Sequence, residues 1–246
     1  MNKKSTQIIA ENLIERLKEH RSEKEIEKVI KFFRGDDGET KALGVRFGTI
    51  FKVAKEFKDL ALKDINKLLD SKYYEVRMAG VSVMDFQARE KRTPEGRRKE
   101  LFDLYIKRHD RLNNWDFVDR AAPSVVGAYL KDKPRDILYK LAQSKDVWKR
   151  RTAIVSTYAF IREGDTEDTF KIAELLVHDK HELINMAVGS WIRTAGIKDK
   201  NTLKRFLDHY AATMPRVTLR YAIGKLDPAK KKLYMNMART AEDVQV

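Results

Sequence analysis

Residues 141–158 of the chain read LAQSKDVWKRRTAIVSTY: the end of one apolar-periodic segment, a polar turn, and a second segment with a small residue at its centre. Residues 69–84 (LDSKYYEVRMAGVSVM) and 175–193 (LLVHDKHELINMAVGSWIR) have the same layout. Within each segment, apolar residues recur with the 3.6-residue period of an α-helix. The pattern predicts three copies of one unit, a pair of helices joined by a short turn.

Weaker matches extend the pattern along the chain. The small residues serve as register marks with spacings of 35, 43, 31, 34 and 35 residues: Gly44, Ala79, Ala122, Ala153, Ala187 and Ala222. A helical repeat of about 35 residues is typical of α-solenoids, in which each unit buries its apolar face against its neighbours. We therefore predict an all-α fold, an α-solenoid of stacked antiparallel helix pairs. It forms one domain over residues 1–240, and residues 241–246 form a short flexible tail.

The N-terminal third shows the same periodicity. The spacing of apolar residues predicts two helices between residues 8 and 33, separated near residues 20–22. Further helices are expected over residues 45–57, 59–69 and 75–88. Residues 35–38 (GDDG) combine turn-forming types and predict a solvated loop.

The composition narrows the class of protein. The 246 residues include 11 glycines and five prolines, too few for a turn-rich β-sandwich. Cysteine is absent, which excludes disulfides, Cys-ligated zinc, iron–sulfur clusters and thiol catalysis, and fits a reducing, cytoplasmic compartment. The longest uncharged stretches are ten residues, whereas a membrane-spanning helix needs about 20. No contact with a membrane is expected.

The chain is strongly basic. Lysine and arginine total 51 against 37 acidic residues, a formal net charge of +14. An excess of this size predicts a polyanionic partner.

Several catalytic schemes lack their parts. The sequence has no GxxxxGK phosphate loop, no dinucleotide fingerprint and no GxSxG elbow, which disfavours kinases, P-loop enzymes and serine hydrolases. No nucleotide cofactor is expected. His178 and His181 are three residues apart, but no further ligand set accompanies them. We expect two solvated histidines, no metal site and no other cofactor.

The segment NNWDFVD at residues 113–119 pairs an aromatic ring with a carboxylate. Trp115 and Asp119 are four residues apart, so on a helix they lie on one face. A purely structural alternative packs Trp115 in the core and pairs Asp119 with Arg120 or another nearby base.

Three consecutive cations follow Trp148 in the DVWKRRTA segment at residues 146–153. A helix starting near Asp146 places these cations where the helix dipole favours anions, so they suit a phosphate backbone better than helix stability. A solvated charged face is the alternative. Basic residues recur at similar positions of later repeats, and stacking in register lines them along one concave basic face: Lys149, Arg150, Arg151, Arg193, Arg216 and Arg220.

Over residues 13–226, and most strongly over residues 101–226, the sequence resembles the bacterial AlkD-like DNA alkylation repair glycosylases, which are built from HEAT-like repeats. The likeness lies in several marks in the same order: Trp115 with Asp119, Trp148 with Arg151, Ala187 to Gly189 followed by Arg193, and Arg220 before Ala222. The resemblance implies a DNA glycosylase that hydrolyses the N-glycosidic bond of positively charged N3- or N7-alkylated purines in double-stranded DNA.

The resemblance also implies roles for residues. Asp119 is the expected catalytic carboxylate, Trp115 an aromatic wall of the site, and Arg151 a cation close to the lesion's backbone. The expected DNA-binding residues are Trp148, Lys149, Arg150, Ser190, Trp191, Arg193, Arg216 and Arg220. The enzyme is expected to be monofunctional and a monomer. The sequence departs from the family at one position, since Ser190 stands where a tryptophan directly follows the glycine and Trp191 comes one residue later, about 100° further around a helix.

Two other functions fit parts of the sequence. One is a non-catalytic member of the same fold that binds damaged or branched DNA, which the change at Ser190 favours. The other is a helical-repeat scaffold for an acidic protein partner, because solenoids often bind proteins and the charge suits one.

Overall fold

The computed structural model describes residues 7–34 and 38–237. These residues form α-helices, one 3-10 turn at His109–Arg111 and one π-helical segment at Ala122–Gly127, and they contain no strand. Most of the predicted loop at 35–38 and all of the predicted tail lie outside the described residues. The helices are α1 (Ala10–Lys18), α2 (Glu23–Ile30), α3 (Phe47–Glu56), α4 (Leu62–Leu69), α5 (Tyr74–Arg89), α6 (Glu95–Lys107), α7 (Trp115–Ala121), α8 (Asp136–Ala142), α9 (Val147–Ser156), α10 (Tyr158–Arg162), α11 (Glu167–Leu176), α12 (Glu182–Lys198), α13 (Lys200–Tyr210), α14 (Arg216–Ala222) and α15 (Pro228–Met235).

The chain divides into two compact units, Met1–Tyr129 and Leu130–Val246. In the first unit α3 and α4 pack on α5, and α5 packs on α7. In the second unit α8 packs on α9, α9 on α12, and α12 on α14. Helix pairs that bury their apolar faces on neighbouring pairs confirm the all-α, helical-repeat prediction. A single domain over residues 1–240 stays a prediction.

A buried carboxylate fixes the loop before α3. Both oxygens of the fully buried Glu75 accept backbone N–H groups, from Leu43 at 2.8 Å, Gly44 at 2.7 Å and Val45 at 3.1 Å. Gly44 has a φ of +87°, and a Cβ there would lie 2.3 Å from the carbonyl oxygen of Ser22. Gly44 is therefore a loop residue, and its use as the mark of a helix centre is wrong. Spacing alone does not separate a small helical residue from a glycine that a turn requires.

The other register marks lie in helical segments. Ala79, Ala153 and Ala187 are buried within α5, α9 and α12. Of the two remaining marks, Ala122 begins the π-helical segment and Ala222 ends α14.

Three helix starts in the second unit are capped by aspartate side chains. Asp146 accepts the N–H of Trp148 at 2.8 Å, Asp199 that of Thr202 at 2.9 Å, and Asp227 that of Lys230 at 2.9 Å. These caps satisfy donors that the first turn of a helix leaves open. They fix where α9, α13 and α15 begin.

Close approach of α12 and α14 depends on Gly189. A Cβ at this position would lie 2.5 Å from the carbonyl oxygen of Thr218 and 2.6 Å from the Cβ of Tyr221. The backbone of α14 occupies the space that a side chain would need.

No helix in the described part of the chain is both long and apolar enough to cross a bilayer.

Candidate functional site

Helix α7 presents the aromatic–carboxylate pair. It begins at Trp115, and Asp119 follows one turn later, so both side chains leave the same face of the helix. Both residues are half-buried, between the exposed surface and the core. The structure therefore brings these two predicted residues together and leaves part of each accessible.

Trp115 is held by the segment that follows α2. Its indole Nε1–H donates to the carbonyl oxygen of Phe32 at 3.3 Å, and the two rings stack with their centroids 6.5 Å apart at 25°. Because the indole has a hydrogen-bond partner and a ring on one side, its orientation is fixed.

Asn114 joins the same segment to the start of α7. Its carboxamide accepts the backbone N–H of Arg34 at 2.9 Å and donates to the carbonyl oxygen of Phe32 at 2.9 Å. It also donates to Asp116 at 2.7 Å, and the hydroxyl of Tyr74 donates to the second oxygen of Asp116. Asn114, Asp116 and Tyr74 are all buried.

The far end of α7 is tied to α5 by Arg120. The guanidinium lies 3.0 Å from the Asp85 carboxylate and is flanked by the rings of Phe51 and Phe86, at 4.8 and 4.9 Å from their centroids. Burial lowers the pKa of Arg120, an effect that the charge of Asp85 opposes. Such contacts give Arg120 a structural role in positioning α7.

The π-helical segment follows α7 directly. Pro123 has no backbone N–H, so the carbonyl of Asp119 lacks the donor that an α-helix would supply from that position. Within the segment, the N–H of Ala128 bonds to the carbonyl of Pro123, five residues back, at 2.9 Å. An α-helix would bond residues four apart. Segments of this kind occur often at functional sites.

Helix α9 carries the predicted cation cluster. Trp148 is buried, and Lys149 is half-buried. The guanidinium of Arg150 is 2.6 Å from Asp179, and it also donates to the carbonyl oxygen of Ser144 at 2.9 Å. Arg150 thus joins two turns of its own unit, and Asp179 offsets its charge.

Arg151 is buried in the second unit. Its Nη1 donates to the carbonyl oxygen of Leu183 at 2.6 Å, so this side chain spans from α9 to the first turn of α12.

The tryptophan of α12 is directed toward α9. Trp191 donates from Nε1 to the carbonyl oxygen of Val155 at 3.1 Å, and its ring meets the edge of Tyr158 with a centroid distance of 6.4 Å. Ser190, where the resemblance leads us to expect a tryptophan, is half-buried. Arg193 is half-buried, with its guanidinium beside Gly224.

Two arginines of α14 differ in environment. Arg220 is exposed. Arg216 is half-buried, and its Nη1 has no hydrogen-bond partner within the described ranges. Arg220 is therefore the better placed of the two to meet a polyanion.

The two histidines serve local structure. A ring nitrogen of His181 accepts the N–H of Leu183 at 3.2 Å and caps α12, and His178 bonds to the hydroxyl of Thr213 at 3.0 Å. Across residues 7–34 and 38–237 no three metal-binding side chains cluster.

Sequence reasoning missed Phe32, Asn114 and Asp85. Phe32 contacts Asn114 and Trp115 across more than 80 residues of chain, and helical periodicity does not detect contacts between residues so far apart. The one feature of the local sequence that could have drawn attention to Phe32 is the pair of adjacent aromatic residues, Phe32 and Phe33, at the end of an amphipathic helix. Trp115 and Asp119 belong to the first unit, and the other nine predicted site residues belong to the second.

Comparison with known proteins gives the family. No curated protein matches the chain. Among solved structures, the crystal structure of AlkD2 from Streptococcus mutans is similar, with a TM-score of 0.53 at 16% sequence identity over 89% of this chain and 99% of that one. This likeness supports the helical-repeat fold. The family model described as DNA alkylation repair enzyme matches residues 13–226. The chain therefore belongs to the DNA alkylation repair enzyme family.

Proposed function

We infer that the protein is a monofunctional DNA glycosylase, which excises positively charged N3- or N7-alkylated purines from duplex DNA by hydrolysing the N-glycosidic bond. The observation that carries the proposal is the accessible pair on α7, Trp115 and Asp119, in a chain of the DNA alkylation repair family. The protein acts as a monomer in the cytoplasm and needs no cofactor.

The chemistry requires one carboxylate. Glycoside hydrolysis ordinarily uses an acid to protonate the leaving group and a second carboxylate at the sugar. An alkylated purine is already cationic, so its departure needs no acid. Asp119 has two tasks: it stabilises the positive charge that develops on the deoxyribose, and it positions the attacking water.

Trp115 contributes selectivity for charge. An indole face attracts a cation with about 0.5–2 kcal/mol, depending on how far the cation is desolvated. The fixed orientation of Trp115 means that this attraction costs little reorganisation. Normal neutral bases gain less from the same ring.

The net charge of +14 supports binding to duplex DNA without sequence preference. The DNA-contacting cations we propose are Lys149, Arg193, Arg216 and Arg220, with Arg220 the most exposed of the four; Arg151 is buried. Arg150 contributes through the fold as well, because Asp179 already binds it.

The test is single-turnover release of 7-methylguanine from a methylated duplex. Asp119→Asn keeps the shape and removes the charge, so the release rate should fall by a factor on the order of 10² or more while DNA affinity is kept or improves. Asp103→Asn is the matched control, since that exposed carboxylate on α6 pairs with Lys99. Equal rates for Asp119→Asn and the unmodified protein would show that Asp119 is not the catalytic carboxylate.

One observation favours a second function. Trp191 is bonded to the carbonyl of Val155 and packed on Tyr158, and Ser190 stands where the resemblance leads us to expect a tryptophan. A site with one aromatic fewer suits a non-catalytic protein that binds damaged or branched DNA. In that case the unmodified protein binds methylated duplex but releases no base.

A further inference from the structure

A groove of about 640 Å³ lies between α12, α13 and α15 in the second unit, and we call it the α13 groove. Buried apolar side chains line it, among them Leu207, Ala222 and Tyr234, which are at most 3% exposed. Ile197 of α12 and Leu233 of α15 also line it, and each is 59% exposed. No other large apolar side chain in the described ranges is as exposed as these two.

Contacts between helices hold the walls of the α13 groove in place. A Cβ at Gly196 would lie 2.8 Å from the Cβ of Leu203, so α12 and α13 approach closely there. The hydroxyl of the buried Tyr234 donates to Asp208 at 2.9 Å, which ties α15 to α13. The groove is therefore formed in the protein alone, and a binding surface that is already formed costs little free energy to order.

Three cations without an ion pair border the apolar side chains of the groove. Lys204 and Lys230 also line it, but each is paired with a carboxylate. Arg193, Lys200 and Lys225 have no carboxylate within ion-pair distance among residues 7–34 and 38–237. They come from α12, from α13 and from the turn between α14 and α15, so positive charge is contributed by three different elements.

The apolar and charged features together select the chemistry of a partner. Duplex DNA presents phosphates, which would pair with the three cations but leave Ile197 and Leu233 in water. An amphipathic helix rich in carboxylates meets both requirements. Its apolar residues at i, i+3 or i+4 and i+7 enter a groove of this kind, and its carboxylates complement the cations.

We propose that the α13 groove binds an acidic amphipathic helix of a partner protein, with apolar side chains against Ile197 and Leu233 and carboxylates at the three unpaired cations. Covering two exposed apolar side chains gives the free energy of apolar burial. The groove is a second binding surface, distinct from the Trp115 and Asp119 pair, which belongs to the other unit.

The test begins with a phage-displayed library of random peptides about four helical turns long, selected on the immobilised, unmodified protein. We expect the enriched peptides to combine aspartate or glutamate with large apolar residues spaced i and i+3 or i+4. The affinity of the most enriched peptide is then measured by fluorescence polarisation. A library that yields no enriched peptide, or only basic ones, would overturn the proposal.

The apolar contacts are tested with Ile197→Ser and Leu233→Ser. Each should weaken peptide binding about fivefold or more, as expected when a side chain that a partner covers is truncated. Leu175→Ser is the matched control, because Leu175 is 48% exposed on α11 of the same unit and does not line the groove. Unchanged affinity in both groove variants would show that the peptide binds elsewhere.

The charge contacts are tested with Lys200→Gln and Lys225→Gln. Each should weaken peptide binding about two- to fivefold at low salt, and the difference should shrink as the salt concentration rises. Lys180→Gln is the control, since Lys180 is exposed in the same unit and lies outside the groove. An affinity that neither salt nor these substitutions alter would contradict recognition by charge.

Other occupants of the groove give different results. A DNA surface would make Ile197→Ser weaken duplex binding as much as peptide binding, whereas we expect unchanged duplex affinity. If residues 238–246 of the same chain fill the groove, Glu242→Gln combined with Asp243→Asn would raise peptide affinity about tenfold, because a tethered competitor is weakened. If a second copy fills it, light scattering would detect a dimer that Leu233→Ser dissociates. Any of these three results would replace the partner helix as the occupant.

Discussion

The guanidinium of Arg120 lies 3.0 Å from the buried carboxylate of Asp85, which links the last turn of α7 to α5. Asp85 also binds Arg89 at 2.6 Å and accepts the hydroxyl of Ser124 at 2.6 Å. One carboxylate in the core thus holds two arginines and the π-helical segment behind the candidate site.

Replacing Asp85 should therefore destabilise the fold. Asp85→Asn keeps the shape but removes the charge opposite the largely buried Arg120, and breaking such a pair costs about 3–5 kcal/mol of unfolding free energy. The exposed Asp103→Asn, whose partner is Lys99, should change it by less than about 0.5 kcal/mol. Urea denaturation measures both, and equal midpoints for the two variants would contradict the prediction.

Two glycines should respond in opposite directions to the same substitution. Gly189→Ala places a Cβ against the backbone of Thr218, so it should cost about 1–3 kcal/mol of unfolding free energy or more. Gly48→Ala, in α3, meets nothing within 4 Å and should stabilise by about 0.5–1 kcal/mol, because alanine is the better helix former. Thermal unfolding of the two variants checks the signs; a stable Gly189→Ala protein would mean that α12 and α14 separate easily.

Two arginines that the sequence groups together should separate in experiment. Arg220→Ala removes an exposed cation, so DNA affinity should fall alike for all sequences and the log–log salt slope should shrink by about 0.9. Arg150→Ala removes the guanidinium that pairs with the Asp179 carboxylate and should lower the unfolding free energy by about 1–3 kcal/mol. Salt titrations and denaturation curves of both variants give the comparison. A greater loss of stability in Arg220→Ala than in Arg150→Ala would reverse the assignment.

Alkaline pH should remove the contribution of Tyr234. Burial, together with the hydrogen bond that its hydroxyl donates to Asp208, raises the pKa of Tyr234 from 10.0 to about 12. The folded chain then keeps a proton that the unfolded chain loses, so this contribution is complete below pH 10 and is lost between pH 10 and about 12. The unfolding free energy of the unmodified protein should exceed that of Tyr234→Phe at pH 9, and the excess should shrink by pH 11.5. A pH-independent difference would show that Tyr234 does not titrate in this range.

The helical periodicity predicted most of the secondary structure. Helices expected over residues 45–57 and 75–88 are found at Phe47–Glu56 and Tyr74–Arg89. The helix expected from residue 59 begins later, at Leu62. Local patterns succeed here because each helix buries one face, and burial sets the apolar period.

Contacts between distant residues were not predictable in the same way. The i, i+4 spacing placed Trp115 and Asp119 on one face of α7, but it did not predict that Phe32 lies on the indole. Likewise, three consecutive cations suggested a phosphate site, whereas Arg150 is bound by a carboxylate 29 residues away. Charge partners and ring contacts depend on how helices pack, and helix packing is not encoded in the spacing of any one helix.

The π-helical segment at Ala122–Gly127 has a consequence for comparing sequences. A π turn contains about one residue more than an α turn, so the last positions of the segment are rotated by roughly 100° from where a 3.6-residue pattern continued from α7 would put them. Helical wheels continued from α7 through residue 122 assign the wrong face to these positions. An alignment with a relative that lacks the extra residue needs a one-residue gap at this point.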